Sequence, residues 1–448
     1  MTSKERFRSS GYSTHMTGSI AGMMLGFLAP AAIVAANLPQ NDGHMHLGPA
    51  SCAASQCHGA TVANDEYNVS LNEYTVWSRR DPHSQAYTVL LGDESKEIAR
   101  KLGLPNAHEQ DVCLDCHTDN VPSEMRGDRF QIEDGVGCEA CHGGAEKWIG
   151  VHDDDPLTGR QDSLELGMYS TEEPIKRAKL CLSCHLGTSD KFASHRIMAA
   201  GHPRIRFELA YYSRNSLHYK VDDDYRTRKT DPGNLNVWAR GLVESAKEQL
   251  ALLRSPLFQN TRLFPELSVF DCHSCHHPMT DISWAKRSAT RDLQPGEVIL
   301  NDSTLVMITA IAAYASEQNT QALIDGVRAL HVAATIGRKQ VAEASHNIDE
   351  ILTDIDSSLT KRGLSSADVD GILRKLVAAA SAGEFLDYSS AEQAVMAVDM
   401  LLTEAQQGVD YAATLDSLYD TVADEDQYDA VRFRQAMNAL PATSRSQD

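Results

Sequence analysis

Ten cysteines of the chain form five pairs, and a histidine follows each pair directly. Two residues separate the cysteines in four pairs, and four residues separate them in the first pair. Cysteines with this spacing bond the vinyl groups of a c-type haem, and the adjacent histidine becomes an axial ligand of the iron. The predicted attachment residues are Cys52, Cys57, Cys113, Cys116, Cys138, Cys141, Cys181, Cys184, Cys272 and Cys275, and the predicted proximal ligands are His58, His117, His142, His185 and His276.

Two other uses of ten cysteines are a disulfide framework and paired zinc ribbons. Neither explains why a histidine follows every pair. The five motifs also use all ten cysteines, with none left over. The sequence therefore predicts five c-type haems, and a lone disulfide stays an alternative at the wider first pair, Cys52 and Cys57.

Haems that only carry electrons usually have both axial positions filled, so a second histidine is expected for each iron. Histidine is the commonest metal ligand, and thirteen histidines lie outside the proximal set. His195 and His202 are seven residues apart, which is two helical turns, so one element could serve two neighbouring haems. The predicted distal ligands are His83, His152, His195, His202 and His277, with His108 and His218 in reserve.

Other polar residues have simpler interpretations. His331 and His346 are predicted to lie on helix surfaces. Four basic residues in one polar segment could pair with haem propionates or form a solvated loop; they are Arg204, Arg206, Arg214 and Lys220.

Helical patterns position these residues. Helices are predicted over Asn72–Leu91, Glu94–Leu102, Glu172–His185 and Asn236–Leu253, whereas Tyr211–Asp231 is predicted to be a loop. After about Pro295 the pattern becomes alanine-rich and amphipathic, which indicates a bundle of helices without cofactor motifs. The predicted fold class is mainly α: a multihaem cytochrome c core with little regular β structure, followed by a C-terminal helical bundle.

The ends of the chain differ from its interior. Lys4, Arg6 and Arg8 precede an apolar stretch over Ser19–Ala36 that ends in small residues, the pattern of an export signal. An uncleaved membrane anchor is the alternative for this stretch. The predicted segments are a signal peptide or anchor at 1–36, a pentahaem domain at 37–294, a helical bundle at 295–440 and a disordered tail at 441–448.

The formal net charge is −21. So acidic a chain argues against nucleic acid as a partner and favours transient docking on a redox protein with a basic face. Membrane contact is expected only if the N-terminal segment stays uncleaved, and the C-terminal bundle could mediate self-association. Haem attachment takes place outside the cytoplasm, so the predicted location is the periplasm.

At these motifs the chain resembles the multihaem cytochrome c-554 type family, including its c-prime-like members. The resemblance is carried by the run from Gly137 to Gly143 followed by His152, and by the region from Cys181 to Pro203. It covers roughly Gly48 to Pro278 and does not reach the C-terminal bundle. It implies a periplasmic, mostly helical protein that packs its haems in close pairs, transfers electrons and has mostly histidine distal ligands.

Two functions follow as hypotheses. The first is an exported pentahaem cytochrome that carries electrons through closely packed, mostly bis-histidine haems. The second is a multihaem oxidoreductase that acts on a small nitrogen or sulfur compound at one five-coordinate haem, as a member of the family with one open iron would. The second hypothesis requires one iron that lacks a distal ligand.

Overall fold

The computed structural model describes residues 38–64, 69–154, 158–215, 217–229, 231–260, 265–277, 286–405 and 411–440. The predicted signal segment and the predicted tail lie outside these residues. The structure is 61% helical, and its described residues contain two isolated β-bridges but no β-strand. The predicted mainly α fold is therefore confirmed.

The α-helices fall into short helices before residue 234 and mostly longer ones after it. They are α1 (Glu73–Arg80), α2 (Ala86–Val89), α3 (Asp93–Leu102), α4 (Asp111–His117), α5 (Cys138–His142), α6 (Gly159–Glu165), α7 (Pro174–His185), α8 (His195–Ala199), α9 (Leu209–Asn215), α10 (Asp223–Arg228), α11 (Asn234–Arg254), α12 (Pro256–Gln259), α13 (Ser303–Ala315), α14 (Glu317–Ile336), α15 (Arg338–Arg362), α16 (Val369–Ala382), α17 (Tyr388–Ala405), α18 (Ala412–Tyr419) and α19 (Ala430–Asn438).

Short 3-10 helices complete the secondary structure. They lie at Pro39–Asn41, Pro49–Ser51, Pro82–Gln85, Ala107–Glu109, Ser123–Met125, Ile132–Asp134, Leu267–Val269, Cys272–Ser274 and Glu425–Gln427.

The helix predicted over 72–91 is broken in the structure. Helix α1 ends at Arg80, and Asp81 is extended with φ −87° and ψ 121°. The cause is Pro82, because a proline ring disfavours helical backbone in the residue before it. A 3-10 turn carrying His83 follows this break.

Helix α8 is only five residues long, and Gly201 has a left-handed φ of 122°, so His195 and His202 lie on one segment without sharing a continuous helix. One further prediction fails between residues 211 and 231. The segment 211–231, predicted as a loop, contains most of α9 and all of α10.

Buried apolar side chains form one large and one small core. The large core runs from Ala178 to Met437 and draws on α7, α9, α11 and α13–α19. The small core contains five buried residues: Tyr87, Leu90, Ala99, Ala107 and Leu114. The motif-bearing half of the chain therefore buries little apolar surface of its own.

Helix α11 precedes the predicted domain boundary at residue 294 and packs against α13 and α15, which follow it. Trp238 on α11 is fully buried in the large core. The boundary itself stays a prediction.

A buried charged cluster lies inside the large core. Arg287 donates to Asp302 at 2.8 Å, and the ring of His331 contacts the same carboxylate at 2.9 Å. All three side chains are buried, so the predicted surface position of His331 is wrong. The physical reason is that Asp302 supplies the hydrogen bond that a buried imidazole requires.

We expect Asp302→Asn to lower the free energy of unfolding by about 3 kcal/mol or more, because it leaves the Arg287 charge buried without its counter-ion. Chemical denaturation followed by circular dichroism measures this change. The control is Glu343→Gln, which removes the exposed partner of Lys339 and should cost under about 0.5 kcal/mol. Equal losses in the two variants would contradict the importance of the buried cluster.

Candidate functional site

Ten histidine rings of the described chain meet in five pairs. The ring centroids of each pair are 6.0 to 6.3 Å apart. Each pair contains one histidine from a cysteine motif and one from elsewhere. The pairs are His58 with His152, His83 with His185, His117 with His202, His142 with His218, and His195 with His276.

The separation within the pairs matches that of two axial ligands of one metal ion. A metal–nitrogen bond of about 2.0 Å on either side places two imidazole centres roughly 6 Å apart. Two rings stacked directly on each other lie closer, as His185 and Phe207 do at 4.5 Å. The residues present therefore fit iron held between two histidines.

Helix ends position the motif histidines. His117, His142 and His185 are the last residues of α4, α5 and α7. A helix cannot continue after His142 at low cost, because Gly143 has a left-handed φ of 83°. The motif thus forms the final turn, with the thiols and the imidazole on one side of it.

The partner histidines come mostly from turns and element ends. His83 lies in the 3-10 turn after Pro82, and His152 lies in the turn region after α5. His195 is the first residue of α8, and His202 follows Gly201. His218 lies between α9 and α10.

Hydrogen bonds at Nδ1 fix several of these rings. The Nδ1–H donates to a carboxylate or a backbone carbonyl, which leaves Nε2 available to a metal. The acceptors are Glu73 for His58, Asp81 for His83, the Ala86 carbonyl for His117, the Ile149 carbonyl for His152 and the Pro203 carbonyl for His202.

Burial sets the charge state of other rings. It lowers the pKa of His142 and of His185 to about 4, so both imidazoles are neutral at pH 7. A neutral imidazole is the form that binds a metal. The carboxylate contacts act oppositely and raise the pKa of His58 and of His83.

Four of the five pairs line one continuous cavity of about 2200 Å³. A pocket for one drug-sized ligand has roughly 300–1,000 Å³, so this cavity is large enough for several bulky groups. The cysteines of the first four motifs line the same cavity. His195 and His276 form their pair outside it.

Thiols of different motifs influence one another in this cavity. The Cys138 thiol lowers the pKa of Cys52, and the Cys116 thiol lowers the pKa of Cys184. The first motif is therefore adjacent to the third, and the second is adjacent to the fourth.

All ten cysteines have free thiols. Within the described residues, no three or more His, Cys, Asp or Glu side chains converge on a shared metal position. The arrangement is instead one of opposed histidine pairs with thiols nearby.

The structure brings four predicted distal histidines against a motif histidine: His83, His152, His195 and His202. His218 lies opposite His142, so each of the five motif rings faces a histidine other than His277. The signal that could have found His218 is its position among the aromatic residues of the segment, since its ring packs on Tyr219.

The arginines considered for propionates have protein partners. Arg204 and Arg206 pair with Glu392, and Arg214 pairs with Asp399. These acidic residues lie on α17, so the contacts join the segment around His202 to the C-terminal helices. His108 packs its ring edge-on against Tyr87.

The comparisons with known proteins agree with this chemistry. Residues 51–143 match the family model described as cytochrome c554 and c-prime. This match indicates a c-type cytochrome in electron transfer, with covalently bound haem c. Within that class, the chain resembles the cytochrome c-554 family, and the predicted resemblance is confirmed over the segment with the first three motifs. No curated protein and no solved structure matches the chain.

His218 and His277 are the two candidates for the fifth distal ligand, and substitutions can compare them directly. We expect His218→Ala to convert one haem of the purified protein from low spin to high spin, because it removes the ring opposite His142. The matched control His277→Ala should leave every haem low spin. Electron paramagnetic resonance of the oxidised protein measures both, and the reverse pattern would contradict the pairing.

Proposed function

We propose that this chain is an exported pentahaem c-type cytochrome that carries electrons between redox protein partners. The observation that supports it best is the set of five histidine pairs, in which every motif histidine faces one histidine from another part of the chain. When bound, haem c supplies a one-electron couple between Fe(III) and Fe(II).

The cysteines and the two histidines of each site have different roles in such a carrier. The cysteine pairs would attach the cofactor, and the motif histidine and the histidine opposite it would hold the iron. With both imidazoles bound, no site would stay open to a small molecule. This complete ligation favours a carrier over a catalyst.

Close packing of the motifs supports a conduit. The cysteines of the first four motifs line one cavity, and the thiols of the first and third motifs, like those of the second and fourth, are near enough to shift each other's pKa. This cavity is continuous, so no layer of protein separates the four haem sites proposed there. Electrons can therefore pass between neighbouring sites without crossing an independent domain.

Surface exposure suggests where partners approach. Cys57 of the first motif and Cys275 of the last motif are exposed, whereas the other eight cysteines are partly covered. The first and last sites are thus the accessible ends of the proposed conduit. The net charge of −21 favours partners with basic docking faces, whose encounters would weaken as salt increases.

Localisation in the periplasm is part of the proposal. It rests on the predicted signal segment and on haem attachment outside the cytoplasm, and members of the matched family are typically exported. Within the described residues, no helix combines the length and apolarity of a membrane span.

The alternative of an enzyme with one open iron has less support. It requires a motif histidine that no second histidine faces, and each of the five motif histidines faces one.

Self-association through the bundle also has little support. Among its described residues, the exposed large apolar side chains are well separated: Val298 lies in a loop, Ile336 ends α14 and Val431 is on α19. Single exposed apolar residues are ordinary.

The test uses the purified, oxidised holoprotein. Its mass should exceed that of the mature chain by five haems, and its paramagnetic resonance should show only low-spin iron. A high-spin signal equal to about one haem would overturn the carrier proposal and favour the enzyme. A gain of four haems would remove Cys52 and Cys57 from the conduit.

The angles between paired rings sharpen this experiment. Three pairs have interplanar angles of 83° to 87°, and two have angles of 27° and 32°. Near-perpendicular ligand planes leave two iron d orbitals almost equal in energy, which makes the low-spin signal more anisotropic. We expect three haems with strongly anisotropic signals and two with ordinary rhombic signals.

A further inference from the structure

Two of the ten rings in the five pairs donate a hydrogen bond to a charged carboxylate. The Nδ1–H of His58 donates to Glu73 at 2.9 Å, and the Nδ1–H of His83 donates to Asp81 at 2.9 Å. The corresponding acceptors of His117, His152 and His202 are backbone carbonyls, which carry no net charge. The chain thus gives its paired rings two chemically different kinds of support.

Glu73 is fixed as well as close. It is the first residue of α1, and its second carboxylate oxygen accepts the backbone N–H of Ser70 at 3.1 Å. Its side chain is 17% exposed, so water screens its charge only partly. The carboxylate therefore cannot turn away from His58 without losing a second hydrogen bond.

Asp81 is fixed by the break that separates α1 from the next turn. Its carboxylate accepts the backbone N–H of His83 at 3.0 Å in addition to the ring proton. Its side chain is 14% exposed. The extended backbone imposed by Pro82 holds this carboxylate beside the ring.

We propose that Glu73 and Asp81 are positioning residues that lower the reduction potentials of two haem sites, those of His58 with His152 and of His83 with His185. The proposal rests on the function proposed above. A carboxylate that accepts the Nδ1 proton makes the ring a more basic ligand. A more basic ligand stabilises Fe(III) more than Fe(II), which makes the iron harder to reduce.

The same contacts orient the rings. A charge-assisted hydrogen bond is roughly twice as strong as a neutral one, so it restricts rotation of the ring about the metal–nitrogen direction. Removing the charge should therefore change both the potential and the ligand-plane angle of the affected site.

The experiment replaces each carboxylate by its amide in the full holoprotein. Glu73→Gln and Asp81→Asn keep an oxygen that accepts hydrogen bonds but remove the charge. Potentiometric titration with optical and paramagnetic detection follows the five haems separately. Each variant should shift one midpoint potential upward, at a different haem in each case, and should alter the low-spin signal of that haem.

The matched control is Glu94→Gln. Glu94 is exposed and lines the same cavity, and its carboxylate accepts no imidazole proton in the described part of the chain. It measures the general effect of losing one nearby charge. Shifts in Glu73→Gln and Asp81→Asn no larger than in this control, or downward shifts, would overturn the proposal.

Measurements on the unmodified protein distinguish a failure of this proposal from a failure of the function on which it rests. Fewer than five low-spin haems in the parent would count against the proposed function. Five low-spin haems with unaltered potentials in both amide variants would count against the two carboxylates alone. The variants act at different sites, so a folding failure in one leaves the other as a complete test.

Discussion

The haem-binding part of this protein depends on one geometric constraint. In each of five histidine pairs, the ring centroids lie 6.0 to 6.3 Å apart, a separation that fits one metal ion between them. Each pair joins segments that are far apart in sequence, for example His58 with His152. The small core in this region, around Tyr87 and Leu114, is too limited to hold the segments together alone. Since metal binding and folding are coupled, ligation and folding should stabilise each other here.

The C-terminal helices provide the rigid support that the haem-binding part lacks. Their core is continuous with α11, and the buried ion pair of Arg287 with Asp302 lies at the start of α13. Salt bridges from Arg204 and Arg214 fasten the segment that carries His202 and His218 to α17. We therefore interpret the bundle as a support that holds two of the distal rings in place.

Much of the site could be predicted from the sequence because covalent attachment imposes a strict spacing. The motif fixes two cysteines and one histidine locally, and His83 and His152 stand out in the sequence as candidate second ligands. Long amphipathic helices such as α11, α14 and α15 were also predictable, since their periodicity extends over many turns. Among the shorter helices, α3 was predicted, whereas the break that Pro82 causes after α1 and the helices α9 and α10 were not.

The remaining errors concern contacts between distant segments. Sequence spacing gave no reason to prefer His218 to His277, because the choice depends on how the segment between α9 and α10 lies against His142. The burial of His331 depends on Asp302, which comes from another helix end. Arg204, which the sequence left open as either a propionate partner or part of a solvated loop, pairs with Glu392 on α17.

The most direct test of the central claim is an experimental structure of the holoprotein with iron located by anomalous scattering. We predict five iron atoms, each between the Nε2 atoms of one of the five histidine pairs, with His218 opposite His142. An iron that has only one histidine ligand, or an iron bound by His277 in place of His218, would contradict the account.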